Sequence, residues 1–66
     1  MRLHFDKEAD ALYLRLDEST IVESEEVHPG IVLDFNEADQ VVGIEILNVG
    51  KRVAADALKE VNFQMA

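Results

Sequence analysis

The residues of this chain best suited to chemistry are two carboxylates, Asp34 and Glu45, with His4, Tyr13 and Arg15 on neighbouring segments. If those segments pair as antiparallel strands, Asp34 and Glu45 fall diagonally across adjacent strands, with β-carbons about 7 Å apart. Carboxylates at that separation suit acid–base work or cation binding. The pattern is generic, because acids on an outer sheet face more often meet solvent or pair with a base such as Arg15, Lys51 or Arg52. His4 and His28 are ligand types for zinc beside Glu25, Glu26 or Asp34. They are far apart, however, and no HxH, HExxH or cysteine accompanies them. Glu25 and Glu26 are adjacent, so a strand points them to opposite faces. Gly30, Gly43 and Gly50 form no phosphate-binding loop, and no serine has a histidine or acid at motif spacing. Spacing therefore assigns no catalytic, cofactor-binding or metal-ligating residue. What it does assign is a candidate interface or ligand face made of His4, Tyr13, Arg15, Asp34, Gly43 and Glu45. Gly43 belongs to it because a mid-strand glycine marks a bulge, or a close approach by Tyr13 or a partner backbone.

The elements that must position these groups are strands. Leu12, Leu14 and Leu16 alternate with Tyr13, Arg15 and Asp17, and Ile31, Leu33 and Phe35 alternate with Val32 and Asp34. One design occurs twice. Phe5-Asp6-Lys7-Glu8-Ala9-Asp10-Ala11-Leu12 and Phe35-Asn36-Glu37-Ala38-Asp39-Gln40-Val41-Val42 each run from an aromatic through an Asx and a Glu-Ala-Asp turn into an apolar strand. Four-residue loops pair Phe5 with Leu12 and Leu3 with Leu14 in one hairpin. In the other they pair Phe35 with Val42, Leu33 with Ile44 and Ile31 with Ile46. Segment 20–28 carries four polar residues in a row, Glu23 to Glu26, and suits an edge strand; its place in the sheet stays open. Pro29-Gly30 is a turn. After Asn48, a plausible N-cap, the apolar period changes to 3–4 through Val53, Ala54, Ala57, Leu58 and Val61, which predicts an amphipathic helix over about 50–61. Lys51 and Arg52 in its first turn oppose the helix dipole and are expected to face acids of the sheet or a partner.

One domain, residues 1–66, follows, with strands at about 2–6, 11–17, 20–28, 31–36 and 41–47. The expected class is α+β: an antiparallel β-meander of four to five strands with one C-terminal α-helix packed on one face. That helix is expected to cover the aliphatic face, where Leu14→Asp should unfold the domain. So short a chain buries a small core, and without cysteine it has neither a disulfide nor a thiolate metal site to brace it, which leaves self-association. The reverse face, with its apolar patches, Tyr13 and Arg15, is the expected interface of a homodimer or a hetero-partner. The formal charge of −8 disfavours nucleic acid and favours a basic protein partner. No apolar run is long enough for a membrane span, and the N-terminus lacks a signal-peptide apolar region, so the expected location is the cytoplasm.

Three segments together carry a resemblance: Phe5-Asp6-Lys7-Glu8-Ala9-Asp10-Ala11-Leu12-Tyr13-Leu14, then Pro29-Gly30-Ile31-Val32-Leu33-Asp34, then Val42-Gly43-Ile44-Glu45-Ile46-Leu47. In their order and spacing the chain resembles the YuzE-like family of small prokaryotic proteins, a domain of unknown function. The matching positions are Asp6, Ala9, Asp10, Tyr13, Pro29, Gly30, Asp34, Gly43, Ile44 and Glu45; Gly50 stands where relatives often carry a small hydroxyl residue. The resemblance implies a compact antiparallel sheet with a C-terminal helix and brings no cofactor or catalytic residue. Some relatives are thought to be encoded beside small toxin-like proteins, which would suit an antitoxin-like partner of a basic protein. The leading expectation is therefore a small acidic protein-interaction module, homo-oligomeric and more a binder than an enzyme. The rival is a small enzyme or metal binder using the carboxylates of the second sheet face.

Overall fold

The computed structural model describes residues 1–66. It holds five strands: β1 Arg2–Asp6, β2 Ala11–Arg15, β3 Ile21–His28, β4 Ile31–Asn36 and β5 Val41–Ile46. All pairs are antiparallel, in the order β1-β2-β5-β4-β3. This order corrects the expected meander. β5, not β3, lies beside β2, and segment 16–20 crosses the end of the sheet to start β3 at the far edge, as in a Greek key. Composition explains the order. β5 is aliphatic and suits the centre, whereas the Glu-rich β3 belongs at an edge, where charge blunts pairing with other chains. Leu16 N–H and Asp17 N–H donate to Val42 O at 2.7 and 3.4 Å, which pins the crossing to the top of β5.

The expected helix is absent, and the protein is mostly β rather than α+β. Residues Val49–Lys51 and Ala55–Lys59 form two short 3₁₀ turns, and 60–66 carry no regular structure. Several local choices work against a helix. Asn48 is left-handed (φ 55°) and its side chain caps nothing. Gly50 in the first turn costs about 1 kcal/mol relative to alanine. Lys51 and Arg52 oppose the dipole there. A three-turn helix without strong packing is marginal, and in 50–66 only Leu58 is even half-buried. Other partners hold the chain instead. Both carboxylate oxygens of Asp10 accept Gly50 N–H at 3.0 Å. Arg52 Nε donates to Leu47 O and Nη2 to Pro29 O, each at 3.0 Å. Arg52 thus binds carbonyls, not the acids expected for it.

The repeat is structural. In the first hairpin Asp6 Oδ1 accepts the N–H groups of Glu8 (3.0 Å) and Ala9 (3.1 Å). In the second, Asn36 Oδ1 accepts those of Ala38 and Gln40, both at 3.0 Å. Asp10, four residues after Asp6, and Asp39, three residues after Asn36, are both left-handed, with φ 53° and 61°. An Asx side chain that satisfies loop N–H groups opens both hairpins, but the second loop spans Glu37 to Asp39, three residues instead of the expected four, because Asn36 N–H donates to Gln40 O. The first hairpin pairs Phe5 with Leu12 and Leu3 with Leu14. The second pairs Leu33 with Ile44 and Ile31 with Ile46, but a bulge sets Phe35 opposite Val41 instead of the expected Val42. The bulge follows directly on the Asp34–Gly43 pair, and Val42 is 2% exposed.

Little else is buried. Ala11, Val42 and Val49 are the buried apolar residues. Leu12, Leu14, Leu33, Ile44 and Ile46, which pair with one another across β2, β5 and β4, are only half-buried, because the irregular C-terminal segment covers their face only in part. Leu14→Asp therefore places its charge on a half-open face and not inside a closed interior.

Candidate functional site

The reverse side of the sheet is built from two rows of paired residues. One row runs Arg2, Arg15, Gly43, Asp34, Ser24; the other runs His4, Tyr13, Glu45, Val32, Glu26. The pleat puts each row on one side of the sheet, opposite the leucines. Gly43 leaves a gap in the first row, and Tyr13 leans into it from the second. A β-carbon at Gly43 would lie 2.6 Å from the Tyr13 hydroxyl and 2.8 Å from Asp34 Oδ2. Through that gap Tyr13 donates its hydroxyl proton to Asp34 Oδ2 at 2.9 Å, and Arg15 Nη1 donates to the same hydroxyl oxygen at 3.3 Å. Ser24 Oγ donates to Asp34 Oδ1 at 2.5 Å. Asp34 is 9% exposed, so its charge sits in a cage of hydroxyls with a guanidinium one residue away.

Arg15 has a second task. Its Nε donates to Asp17 O at 2.5 Å and its Nη2 to Ser19 O, so the same side chain fastens the β2–β3 crossing. Asn36 closes that end from below: its Nδ2 donates to Ser19 Oγ at 3.1 Å and to Gln40 Oε1 at 3.0 Å. No buried side-chain nitrogen or oxygen lacks a partner. Outside the cluster, Arg2 and Glu18 form a two-pronged exposed pair at 2.9 and 3.0 Å. The hydrogen bond from Arg2 lowers the Glu18 pKa, and the Arg2 pKa rises in turn. Hydrogen bonding from the Ser19 side chain and backbone lowers that of Asp17.

Five of the six candidate residues lie together as Tyr13, Arg15, Asp34, Gly43 and Glu45, and His4 flanks them across the β1–β2 pair. Asp34 and Glu45 stand diagonally, Asp34 facing Gly43 and Glu45 facing Val32. Asp34 takes hydroxyls as partners, not the bases Arg15, Lys51 or Arg52. His28 lies at the far end of β3 opposite Ile31, remote from His4, and no three His, Asp or Glu side chains converge as a metal cage would require. Sequence reasoning missed Ser24 and Asn36. Ser24 became readable only once β3 was placed beside β4, because its role depends on which residue it faces.

A polar hollow lined by Ser19, Thr20, Val22, Asn36, Glu37 and Ala38 adjoins this end of the sheet, and the apolar concavities lie elsewhere. A groove of about 370 Å³ runs between the aliphatic face and the C-terminal segment, lined by Leu3, Phe5, Leu12, Ile46, Val49, Arg52, Val53, Ala57, Leu58 and Val61. A second apolar hollow, bounded by Met1, Leu3, Leu14, Val61 and Phe63, continues it toward β1. No helix is long and apolar enough to cross a membrane.

These features define a class: a single-sheet antiparallel β protein with a closed polar cluster on one side and an aliphatic face only partly covered by the C-terminal segment on the other. The chain belongs to the family DUF2283, proteins of unknown function, which it matches over residues 2–49. The match spans all five strands and ends at the turn that Asp10 holds. Neither curated proteins nor solved structures supply a match.

Proposed function

We propose that this chain is a protein-interaction module whose binding surface is the aliphatic face of the sheet, and that within its family it is a YuzE-like member. One observation carries the reading: the leucine and isoleucine rows of β2, β5 and β4 are only half-buried, and the C-terminal segment reaches Leu12, Leu14 and Ile46 but not Leu33 or Ile44. Stable domains close such a face against another layer, and a contiguous exposed apolar surface on a soluble chain marks a site of association. The reverse side offers less to a ligand, since Asp34 has both oxygens taken by the chain's own hydroxyls.

Charge narrows the kind of partner. Glu23 and Glu25 pair with Phe35 and Leu33 and so border the aliphatic face along β3. With a net charge of −8, the acidic rim favours a basic protein, in the manner of an antitoxin with its toxin. The cysteine-free composition suits a reducing cytoplasm.

The test is affinity capture from the native host with three baits: the unaltered chain, Leu33→Gln on the aliphatic face and Tyr13→Phe on the reverse side. The expected result is a basic protein held by the first and third baits, lost with Leu33→Gln and released as salt rises. Equal capture by all three baits would overturn the assignment of the face.

A further inference from the structure

The two edges of the sheet are built differently. β3 closes one edge with Glu23, Glu25 and Glu26 and with two breaks in register, between Ile21 and Glu23 and between Glu26 and His28. Charge and bulges of this kind keep an edge from pairing with another chain. β1, at the other edge, has neither device. Its register with β2 runs unbroken from Arg2–Arg15 to Asp6–Ala11, its residues alternate as Arg-Leu-His-Phe-Asp, and all of them but the half-buried Phe5 are exposed. In a chain of net charge −8, Arg2 and Asp6 cancel and leave this strand neutral. The C-terminal segment does not close the edge. Val61 and Phe63 bound the same hollow as Leu3 on the aliphatic side, but residues 60–66 give β1 no backbone hydrogen bond. A regular, neutral edge with a row of unpaired N–H and C=O groups is a template for one more strand.

From this we infer that β1 pairs with β1 of a second copy, antiparallel and centred on His4, joining two five-stranded sheets edge to edge into one of ten strands. This surface is separate from the aliphatic face assigned to a basic partner, because the second copy arrives in the plane of the sheet. The sequence of β1 is its own complement. An axis through His4 sets Arg2 opposite Asp6 of the second copy, Leu3 opposite its Phe5, and His4 opposite its His4. Two-fold symmetry makes the ion pair and the apolar pair twice each, and both kinds of cross-strand pair stabilise antiparallel neighbours. The groups needed are free. Arg2 spends Nε and Nη2 on Glu18 and keeps Nη1, while Asp6 spends Oδ1 on its own turn and keeps Oδ2. Neighbouring registers fit less well. An axis at Leu3 sets Arg2 against His4 and leaves Asp6 without a partner. An axis at Phe5 runs Leu3 past the end of the strand, against Lys7 of the turn. A slip by one residue sets Leu3 against His4 and mixes the two faces.

Five residues a side make a small interface, at the weak end of the range for specific contacts. Sedimentation equilibrium of the full chain at about 1 mM should nonetheless give twice the chain mass. Arg2→Glu, which sets like charges opposite one another, should raise the dissociation constant about 10-fold. Disulfide trapping reads the register, and the chain's lack of cysteine keeps it clean. His4 is exposed, so His4→Cys should fold as the parent chain does. On the axis its α-carbon lies about 4.5–5.5 Å from that of its copy, within the span of a disulfide, and under mild oxidation it should cross-link to near completion. Leu3→Cys should not, because residue 3 stands two ladder positions from its own copy, beyond the roughly 7 Å that a disulfide bridges. Glu26→Cys, on the guarded edge, should not either. A single-chain mass at about 1 mM would overturn the dimer while leaving the capture result for a basic partner standing. Cross-linking of Glu26→Cys, or a doubled mass without cross-linking of His4→Cys or Leu3→Cys, would overturn the edge. Cross-linking of Leu3→Cys in place of His4→Cys would overturn the register.

Discussion

At the scale of single residues, Gly43 decides the reverse side. The absence of a β-carbon lets a tyrosine from one row reach a carboxylate in the next. Gly43→Ala should therefore lose about 1–3 kcal/mol through overpacking, measured by urea unfolding. Part of that loss should return in a Tyr13→Phe background, because the nearest atom to the new methyl is the tyrosine hydroxyl. Tyr13→Phe alone should cost about 1 kcal/mol, the value of one hydrogen bond. Asp34→Ala should cost more than Asp34→Asn, since alanine leaves the Tyr13 and Ser24 hydroxyls without an acceptor. Exposed carboxylates act through pH. Asp17 and Glu18 both titrate below their ordinary range when folded, held there by Ser19 and by Arg2. Their contribution is complete above about pH 4.3 and disappears as pH falls through the lower folded-state values. Glu18→Gln should accordingly flatten the acid end of the stability curve, read from thermal midpoints between neutral and acidic buffers.

At the scale of elements, the two hairpin turns share one device under different loads. Asp6 satisfies two loop N–H groups at an exposed site, whereas Asn36 is buried and makes four side-chain hydrogen bonds. Asn36→Ala should cost about 1–3 kcal/mol in denaturant unfolding, and more than Asp6→Ala. The left-handed aspartates divide in the same way. Asp39→Gly should be neutral or mildly stabilising, because glycine removes the strain of positive φ. Asp10→Gly gains the same relief but releases Gly50, and should free the C-terminal segment to exchange its amide protons faster. How much of this was readable beforehand follows the range of the forces. The repeated turns, the register of both hairpins near the leucines and the grouping of Tyr13 with Asp34 and Glu45 depend on nearby residues and on the pleat. Strand order, the bulge at Phe35 and the failed helix depend on what lies across space. Apolar spacing alone predicted a helix at 50–61, and the anchors at Asp10, Pro29 and Leu47, the first two distant in sequence, were invisible to that pattern.

At the scale of the whole molecule, circular dichroism should show a β spectrum with little helical signal, and carbon chemical shifts should show no run of helical values beyond the short 3₁₀ turn at Ala55–Lys59. The topology also orders events in time. β2 meets β1 across a four-residue loop, but its other neighbour, β5, lies beyond the entire β3–β4 excursion, with Leu12 opposite Ile46. Closing so long a loop delays the contact. A chain leaving the ribosome therefore carries its first hairpin with the inner edge of β2 bare until nearly the whole sheet has been synthesised. For that interval the N-terminal ribbon is the part of the protein most open to mispairing, and a chaperone or a neighbouring nascent chain would meet it there first.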